Sequence, residues 1–280
     1  MNDIHSWIGR ETRTEAFLDP AQANRMAATL GRERTFRDGD PLPHGWHWLY
    51  FHDIVPSGKL GRDGHPALGE VMPPVPLERR MWAAGALRFE QPLLLGQRAE
   101  RVSRISGITK KKGKSGELYF VEVESEVTSD AHLALHETQT IVYREMDGAA
   151  TTAQPEAPSN PDFSEHWQLD NVALFRYSAL TFNGHRIHFD VDYARLVEGY
   201  EDLVIHGPLI ATLLLDLAAQ NSTDLATFEY RAKSPLLLPD PFTVYGKSND
   251  SGLHLWAATL GGRLAMEATA TRVASPVDSA

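Results

Sequence analysis

The run from Pro208 to Gln220 predicts a helix with almost no polar face, because Leu209, Ile210, Leu213, Leu214, Leu215, Leu217 and Ala218 fall around most of its circumference. Such a helix cannot lie on a surface with one side in water. It has to be wrapped. A curved antiparallel sheet closing over a single buried helix is the arrangement that does this, so the run constrains the fold more tightly than any compositional figure.

Strand patterns elsewhere supply the sheet. Ala86 to Leu95, Arg98 to Ile108, Leu118 to Thr128 and Leu133 to Tyr143 alternate or run apolar, with β-branched residues and turn signals between them. Leu253 to Leu260 and Arg263 to Val273 form a closing hairpin about Gly261-Gly262. Near the N-terminus Asp19-Pro20 caps a helix over Ala21 to Leu30 that Gly31 ends, and residues 56 to 80, rich in Pro and Gly, read as a long surface loop or lid. The order of elements then recurs. His44-Gly45 before an aromatic stretch is echoed by His206-Gly207 before the apolar helix, and Pro92-Leu93-Leu94-Leu95-Gly96 by Pro235-Leu236-Leu237-Leu238-Pro239. The expected division is a repeat over 1–146, an Ala/Thr/Pro-rich linker over 147–162, and a second repeat over 163–280.

Composition closes off several function classes. The 280 residues contain no cysteine, which removes disulfides, thiolate metal sites and cysteine nucleophiles. A formal charge of -10 argues against a nucleic-acid backbone as partner. Lys110-Lys111-Lys112-Gly113-Lys114 is a local exception, read as a solvated hairpin loop or a contact for an anionic phosphate. No apolar run approaches the ~20 residues of a membrane helix, and MNDIHSWIGRETRT is too polar for a signal peptide, so a cytoplasmic protein with no membrane partner is expected.

Polar, ionisable and glycine residues are densest over 175–209, where Asn183-Gly184-His185-Arg186-Ile187-His188 is followed by His206-Gly207-Pro208 at the head of the apolar helix. This segment resembles the active-site signature of the MaoC-like (R)-specific enoyl-thioester hydratases and dehydratases, roughly Ser-Gly-Asp-x-Asn-Pro-x-His and then His-Gly. Thr181 takes the Ser place, Asn183 the Asp place, His185 the Asn place, Arg186 the Pro place and His188 the His place. The variant Phe-Asn-Gly-His-Arg-Ile-His-Phe-Asp is similar to the type-2 hydroxyacyl-thioester dehydratases and to mesaconyl-CoA and itaconyl-CoA hydratases. The resemblance implies an α+β double hotdog: two tandem repeats, each an antiparallel sheet wrapped around a long helix. It also implies an acyl-CoA or carrier-protein thioester as substrate, coenzyme A as part of that substrate, and no separate cofactor or metal.

Reversible addition of water to an enoyl thioester needs a base, an acid, and donors for a carbonyl oxygen that gains enolate character. His188 is the expected proton carrier, since an imidazole exchanges protons near neutral pH. An amide cannot take a proton from water, so Asn183 is assigned to orienting it, and Asp190 is a nearby carboxylate of undetermined direction. Gly207 is the expected oxyanion donor at the helix mouth, with His206 pinning the loop. Tyr177, Arg176 and Arg186 are candidate substrate contacts, the two arginines as a clamp for a carboxylate on the acyl chain or as surface ion pairs. A clamp points to a short branched dicarboxylyl-CoA such as mesaconyl- or itaconyl-CoA. The rival readings are a fatty 3-hydroxyacyl-thioester dehydratase, a hotdog thioesterase using Asp216, and a non-catalytic acyl-CoA-binding module. His44-Gly45 lacks an upstream Asn-x-x-x-x-His, so one active site per chain is expected, in a homodimer or higher assembly.

Overall fold

A computed structural model describes residues 3–113, 116–145, 155–222 and 224–273. Ten strands form one antiparallel sheet: β1 (Glu11–Phe17), β2 (Arg79–Phe89), β3 (Arg98–Gly113), β4 (Gly116–Ser129), β5 (His132–Arg144), β6 (Phe163–Trp167), β7 (Leu225–Ala232), β8 (Phe242–Asn249), β9 (Gly252–Thr259) and β10 (Leu264–Arg272). Their spatial order is β1-β3-β4-β5-β2-β7-β10-β9-β8-β6. The second five strands repeat the order of the first five in mirror sequence about a β2–β7 seam, where Ala84 pairs with Arg231 and Arg88 with Thr227. The internal echo extends to single bridges, Pro41 to Leu94 in one half and Val204 to Leu237 in the other. This is a double hotdog.

Four α-helices accompany the sheet: α1 (Pro20–Thr29), α2 (Asn171–Leu180), α3 (Val191–Leu196) and α4 (Gly207–Asn221). α4 is the wrapped helix, with Leu209, Ile210, Leu213, Leu214, Leu215, Leu217 and Ala218 all buried. At ~25 cal/mol per Å² of apolar surface removed from water, so long an apolar face makes this burial the main local driving force of the second half. The N-terminal helix ends where the sequence places it, with the Asp19 side chain accepting the Ala21 N–H and Pro20 in the first turn. Among its described residues the first half has no counterpart of α4. After His44-Gly45 the chain makes one 3₁₀ turn, Trp46–Leu49, and leaves it through Tyr50 and Phe51. Bulky aromatics in succession favour extended backbone over a continued helix.

Some elements fall elsewhere than expected. β2 starts at Arg79, inside the anticipated loop, and stops before Pro92, whose missing N–H and the positive φ of Gly96 turn the chain aside; Leu93 and Leu95 hydrogen-bond the segment at Asp40 and Leu42 instead. The loop preceding β2 is not wholly surface, since Val75 and Leu77 are buried against the sheet of the first half with Ile105, Val121 and Tyr143. Lys110, Lys111 and Lys112 lie within β3 rather than in a hairpin loop, Lys110 paired with Glu117, while Lys114 is outside the described residues. Of the 147–162 segment, 147–154 is likewise outside them, and Pro155 to Ala157 hydrogen-bonds Gly262 and Leu264 at the β9–β10 turn. The edge strands β1 and β6 were not anticipated: they are short, and mostly exposed or half-buried side chains blur their alternation.

Candidate active site

The site is assembled where α2 ends. Thr181 closes that helix, Phe182 takes a left-handed φ of 52°, and the Asn183 N–H returns to the Ser178 carbonyl. The Asn183 side-chain oxygen then accepts the His185 N–H at 2.9 Å, an Asx turn that aims the chain into a 3₁₀ turn, Arg186–His188. Asp190 ends the turn by capping α3, accepting the Tyr193 N–H. Thus a dozen residues curl tightly enough to bury both His185 and His188, each 6% exposed.

The histidines form a row. His65 packs on His185 with ring centroids 4.3 Å apart, His185 meets His188 edge-on at 5.4 Å, and His188 stacks on His206 at 3.6 Å. Hydrogen bonds fix the tautomer at the inner end. His188 Nδ1 lies 2.7 Å from the Val204 carbonyl, which can only accept, so Nδ1 carries the proton and Nε2 keeps a free lone pair. His206 Nε2 faces the Ser178 hydroxyl at 2.8 Å. Burial holds the whole row neutral: it pushes His188 down to about 3 and His65 to about 4, and lowers His185 and His206 as well, with the neighbouring charged forms adding to the effect.

Gly207 opens α4 directly after His206. As the first residue of the helix its N–H has no carbonyl one turn back, and the helix dipole adds positive potential there. The missing side chain is required by packing, because a Cβ at 207 would lie 2.9 Å from the ring of Trp82 on β2. His188 therefore stacks on the residue that precedes the helix mouth, and Gly207 lies against Trp82 of the seam strand β2.

The lid comes from the first half. Its Asp63 carbonyl accepts the Arg186 N–H at 2.8 Å, Asp63 Oδ2 holds His65 Nδ1 at 2.9 Å, and the backbones of Gly64 and Gly184 pass so closely that a Cβ on Gly64 would be 2.0 Å from the Gly184 oxygen.

The family described as hydroxyacyl-thioester dehydratase type 2 matches residues 45–238, a span that takes in the lid, the seam, the histidine row and α4. The chain belongs to this family. It is similar to the mesaconyl-C(4)-CoA hydratase of Chloroflexus aurantiacus, with 41% identity over 271 residues covering 95% of this chain and 97% of that protein. The mitochondrial hydroxyacyl-thioester dehydratase type 2 of Schizosaccharomyces pombe is 30% identical over 230 residues, covering 72% and 77%. Among solved structures, HtdX of Mycobacterium tuberculosis superposes with a TM-score of 0.68 over 94% of this chain and all of that one, at 20% identity, a likeness of fold alone. The protein is accordingly a hydro-lyase of the type 2 dehydratase family.

In this dehydratase the first half lacks a long helix, and a cavity of about 660 Å³ lies against the inner face of β3–β5. It reaches from Arg101 and Ser125 to Gly64, His65, Asn183 and Gly184. His65 therefore forms part of its wall, with His188 and His206 two and three rings further in. The floor is polar: Glu137 is buried, paired to His47 at 3.1 Å, and receives hydrogen bonds from Trp48 and Gln139. Burial would raise the Glu137 carboxyl, but His47 and these donors hold it below the usual carboxylate range.

The structure brings His188, His206, Asn183 and Gly207 together and removes three expected substrate contacts. Arg186 is committed to Asp190 through Nε at 3.0 Å and Nη2 at 2.7 Å, to the Arg62 carbonyl, and to the face of Tyr193, so it staples the loop. Asp190, bound to Arg186 and to the α3 cap, is equally unavailable. Arg176 is exposed on α2, away from the cavity wall. Tyr177 is 1% exposed and its ring packs edge-on against His206, which makes it a wall behind the histidines. The Asn183 oxygen holds the turn, leaving its NH₂ to face the cavity. Asp216 borders a different cavity, of about 640 Å³, beside Trp46 and His44.

His65 and Arg80 were not foreseen, for they sit more than a hundred residues upstream of the signature in a segment whose one signal is its Pro/Gly-rich length. Asp63, His65 and His185 bring potential metal-ligating atoms within 4.8 Å of one another. The positive charge of Arg80 acts on all three, which opposes a cation at that point.

Proposed function

We propose that this dehydratase adds water reversibly to a short α,β-unsaturated acyl-CoA, with mesaconyl-C(4)-CoA as the favoured substrate. The observation that carries the reading is the 2.7 Å contact of His188 Nδ1 with the Val204 carbonyl, which leaves Nε2 unprotonated on a ring stacked against His206, the residue that precedes Gly207. His188 takes a proton from water as its oxygen attacks the β-carbon and delivers that proton to the α-carbon of the enolate, so that H and OH are both added; dehydration runs the same two transfers backwards. The Gly207 N–H, aided by the helix dipole, stabilises the enolate oxygen as it forms. Asn183 donates through its NH₂ to the water or to the hydroxyl that leaves.

The choice of acyl group rests on the 41% identity over nearly the whole length of the Chloroflexus aurantiacus protein and on the charged and polar groups set in an otherwise largely apolar cavity wall. Arg80, Gln139 and Ser125 in that wall offer partners to a short acyl group with a charged end. The thioesterase reading is disfavoured because Asp216 borders the other cavity. The test is a set of initial rates with mesaconyl-C(4)-CoA, itaconyl-CoA and crotonyl-CoA, alongside release of free thiol from a saturated acyl-CoA. Hydration with kcat/KM highest for mesaconyl-C(4)-CoA and no thiol release is expected. A preference for crotonyl-CoA would remove the dicarboxylyl assignment, and thiol release without hydration would remove the reaction class.

A further inference from the structure

We propose that Arg80 is the residue that selects a carboxylate on the β-carbon of the acyl group. This rests on the dicarboxylyl reading above and gives it a residue. Four guanidinium groups border the cavity, from Arg10, Arg80, Arg101 and Arg104. Three are engaged: Arg10 lies 4.0 Å over the Trp7 ring, Arg101 pairs with Asp53 at 3.3 Å, and Arg104 pairs with Glu124 at 3.0 Å. Arg80 makes no side-chain hydrogen bond or ion pair with the described residues, although it is half-buried.

Strand geometry says which way Arg80 faces. Side chains alternate along a strand, so Arg80 shares a face of β2 with Trp82 and opposes Arg79. Trp82 is the residue whose ring covers Gly207, while Arg79 is buried on the opposite side in an ion pair with Glu198 at 2.8 Å. Residues two apart on a strand are separated by about 7 Å, the scale of a four-carbon diacyl chain with its hydrogen bonds. A thioester oxygen at the Gly207 amide thus places a substituent of the β-carbon toward Arg80. The same region contains an unused donor: Tyr143, the cross-strand partner of Arg80, has a buried hydroxyl with no hydrogen-bond partner. Asp63 and His65 of the lid lie close enough to feel the guanidinium charge, so the group stands between lid and seam.

The chemistry of the two candidate substrates differs at this point alone. In mesaconyl-C(4)-CoA the β-carbon, the carbon that receives water, carries the free carboxylate trans to the thioester and a methyl group beside it; in crotonyl-CoA methyl stands in the carboxylate's place and hydrogen in the other. A guanidinium there binds the first substrate and leaves a desolvated, unpaired cation with the second.

The experiment uses the full-length enzyme and its Arg80→Gln and Arg80→Lys variants. Rates are measured with mesaconyl-C(4)-CoA and crotonyl-CoA, and competitive inhibition with succinyl-CoA and butyryl-CoA, saturated analogues that differ in the same substituent. In Arg80→Gln the ratio of kcat/KM between the two substrates, and the ratio of inhibition constants between the two analogues, are each expected to fall by roughly 10- to 100-fold, with the change in KM rather than kcat. Arg80→Lys should recover part of both ratios. Equal losses on both substrates and both analogues would overturn the assignment and make Arg80 a structural group. If the wild type prefers crotonyl-CoA, the proposed substrate fails independently; the succinyl-to-butyryl ratio and its response to Arg80→Gln still decide whether this guanidinium reads a carboxylate. Thermal melts of each variant show whether a loss reflects unfolding.

Discussion

His206 lies flat against His188, the two imidazoles 3.6 Å apart and 19° from parallel, with Ser178 holding one and the Val204 carbonyl the other. Two rings at that separation, away from water, are stable as a pair only while both are neutral. The stack thus keeps His188, the base proposed above, unprotonated, and it does so without a carboxylate at position 183.

One consequence is a particular acid response. The folded-state values of His188 and His65, about 3 and about 4, lie below the ordinary histidine value of about 6.5, so the unfolded chain binds protons that the folded chain refuses. The stability these neutral rings contribute is complete above pH ~6.5 and is lost as pH falls from there toward the folded values, by about 1.4 kcal/mol per pH unit for each ring. Chemical denaturation at pH 7, 6 and 5 should show this steepening, and the acid limb of kcat/KM should coincide with unfolding monitored by circular dichroism. An acid limb near pH 6.5 in a fully folded enzyme would contradict it.

Replacing His188 with alanine removes the proposed proton carrier and leaves the helix mouth in place. kcat should fall by ~10²- to 10⁴-fold with KM changed only a few-fold. Steady-state kinetics with the preferred acyl-CoA, and titration of a saturated analogue to confirm retained binding, measure it.

Ser178→Ala strips His206 of its Nε2 partner in a position where no solvent can substitute, since His206 is 0% exposed. A loss of about 1–3 kcal/mol in unfolding free energy is expected from urea titration.

The backbones of Gly64 and Gly184 touch where lid meets signature, and a Cβ on Gly184 would lie 2.7 Å from the Gly64 oxygen. Gly184→Ala should lift the lid rather than unfold the protein. Limited proteolysis would then cut within 56–77 faster than in the wild type, with KM raised and the melting temperature nearly unchanged.

Asp216 is pushed up to about 7 by burial, against the opposing pull of Arg32 and the Trp46 N–H. A raised carboxyl favours folding below its unfolded value of ~3.9 and penalises it as pH rises through the folded value. Asp216→Asn keeps an acceptor for Trp46, so it should stabilise the protein by on the order of 1–3 kcal/mol at pH 8 and by less at pH 5, as read from paired thermal melts.

How much of this is legible in the sequence depends on the reach of each signal. The α4 stripe, the Asp19 cap and the closing β9–β10 hairpin are local patterns, and each is found within a residue or two of its expected place. His188, Asn183, His206 and Gly207 were legible because they lie in one segment with recognisable spacing. Arg186 shows the limit of that reasoning: a guanidinium beside a signature looks like a clamp until a carboxylate four residues on is seen to hold it. Arg80 and His65 carry no such local mark, since only strand pairing across the seam and the path of the lid bring them to the histidines. The polar cavity floor was hidden for the same reason, as Glu137 and His47 meet from positions ninety residues apart.

The lid that reaches from the first half to His185 makes the two halves unequal dependants of each other. The second half holds the wrapped helix and the proposed base, while the first, without a long helix among its described residues, contributes a cover and a recess. Cut at the join and expressed separately, neither fragment would hold a complete reaction chamber. Covalent linkage keeps cover and helix in one-to-one supply, because every chain that brings the one brings the other.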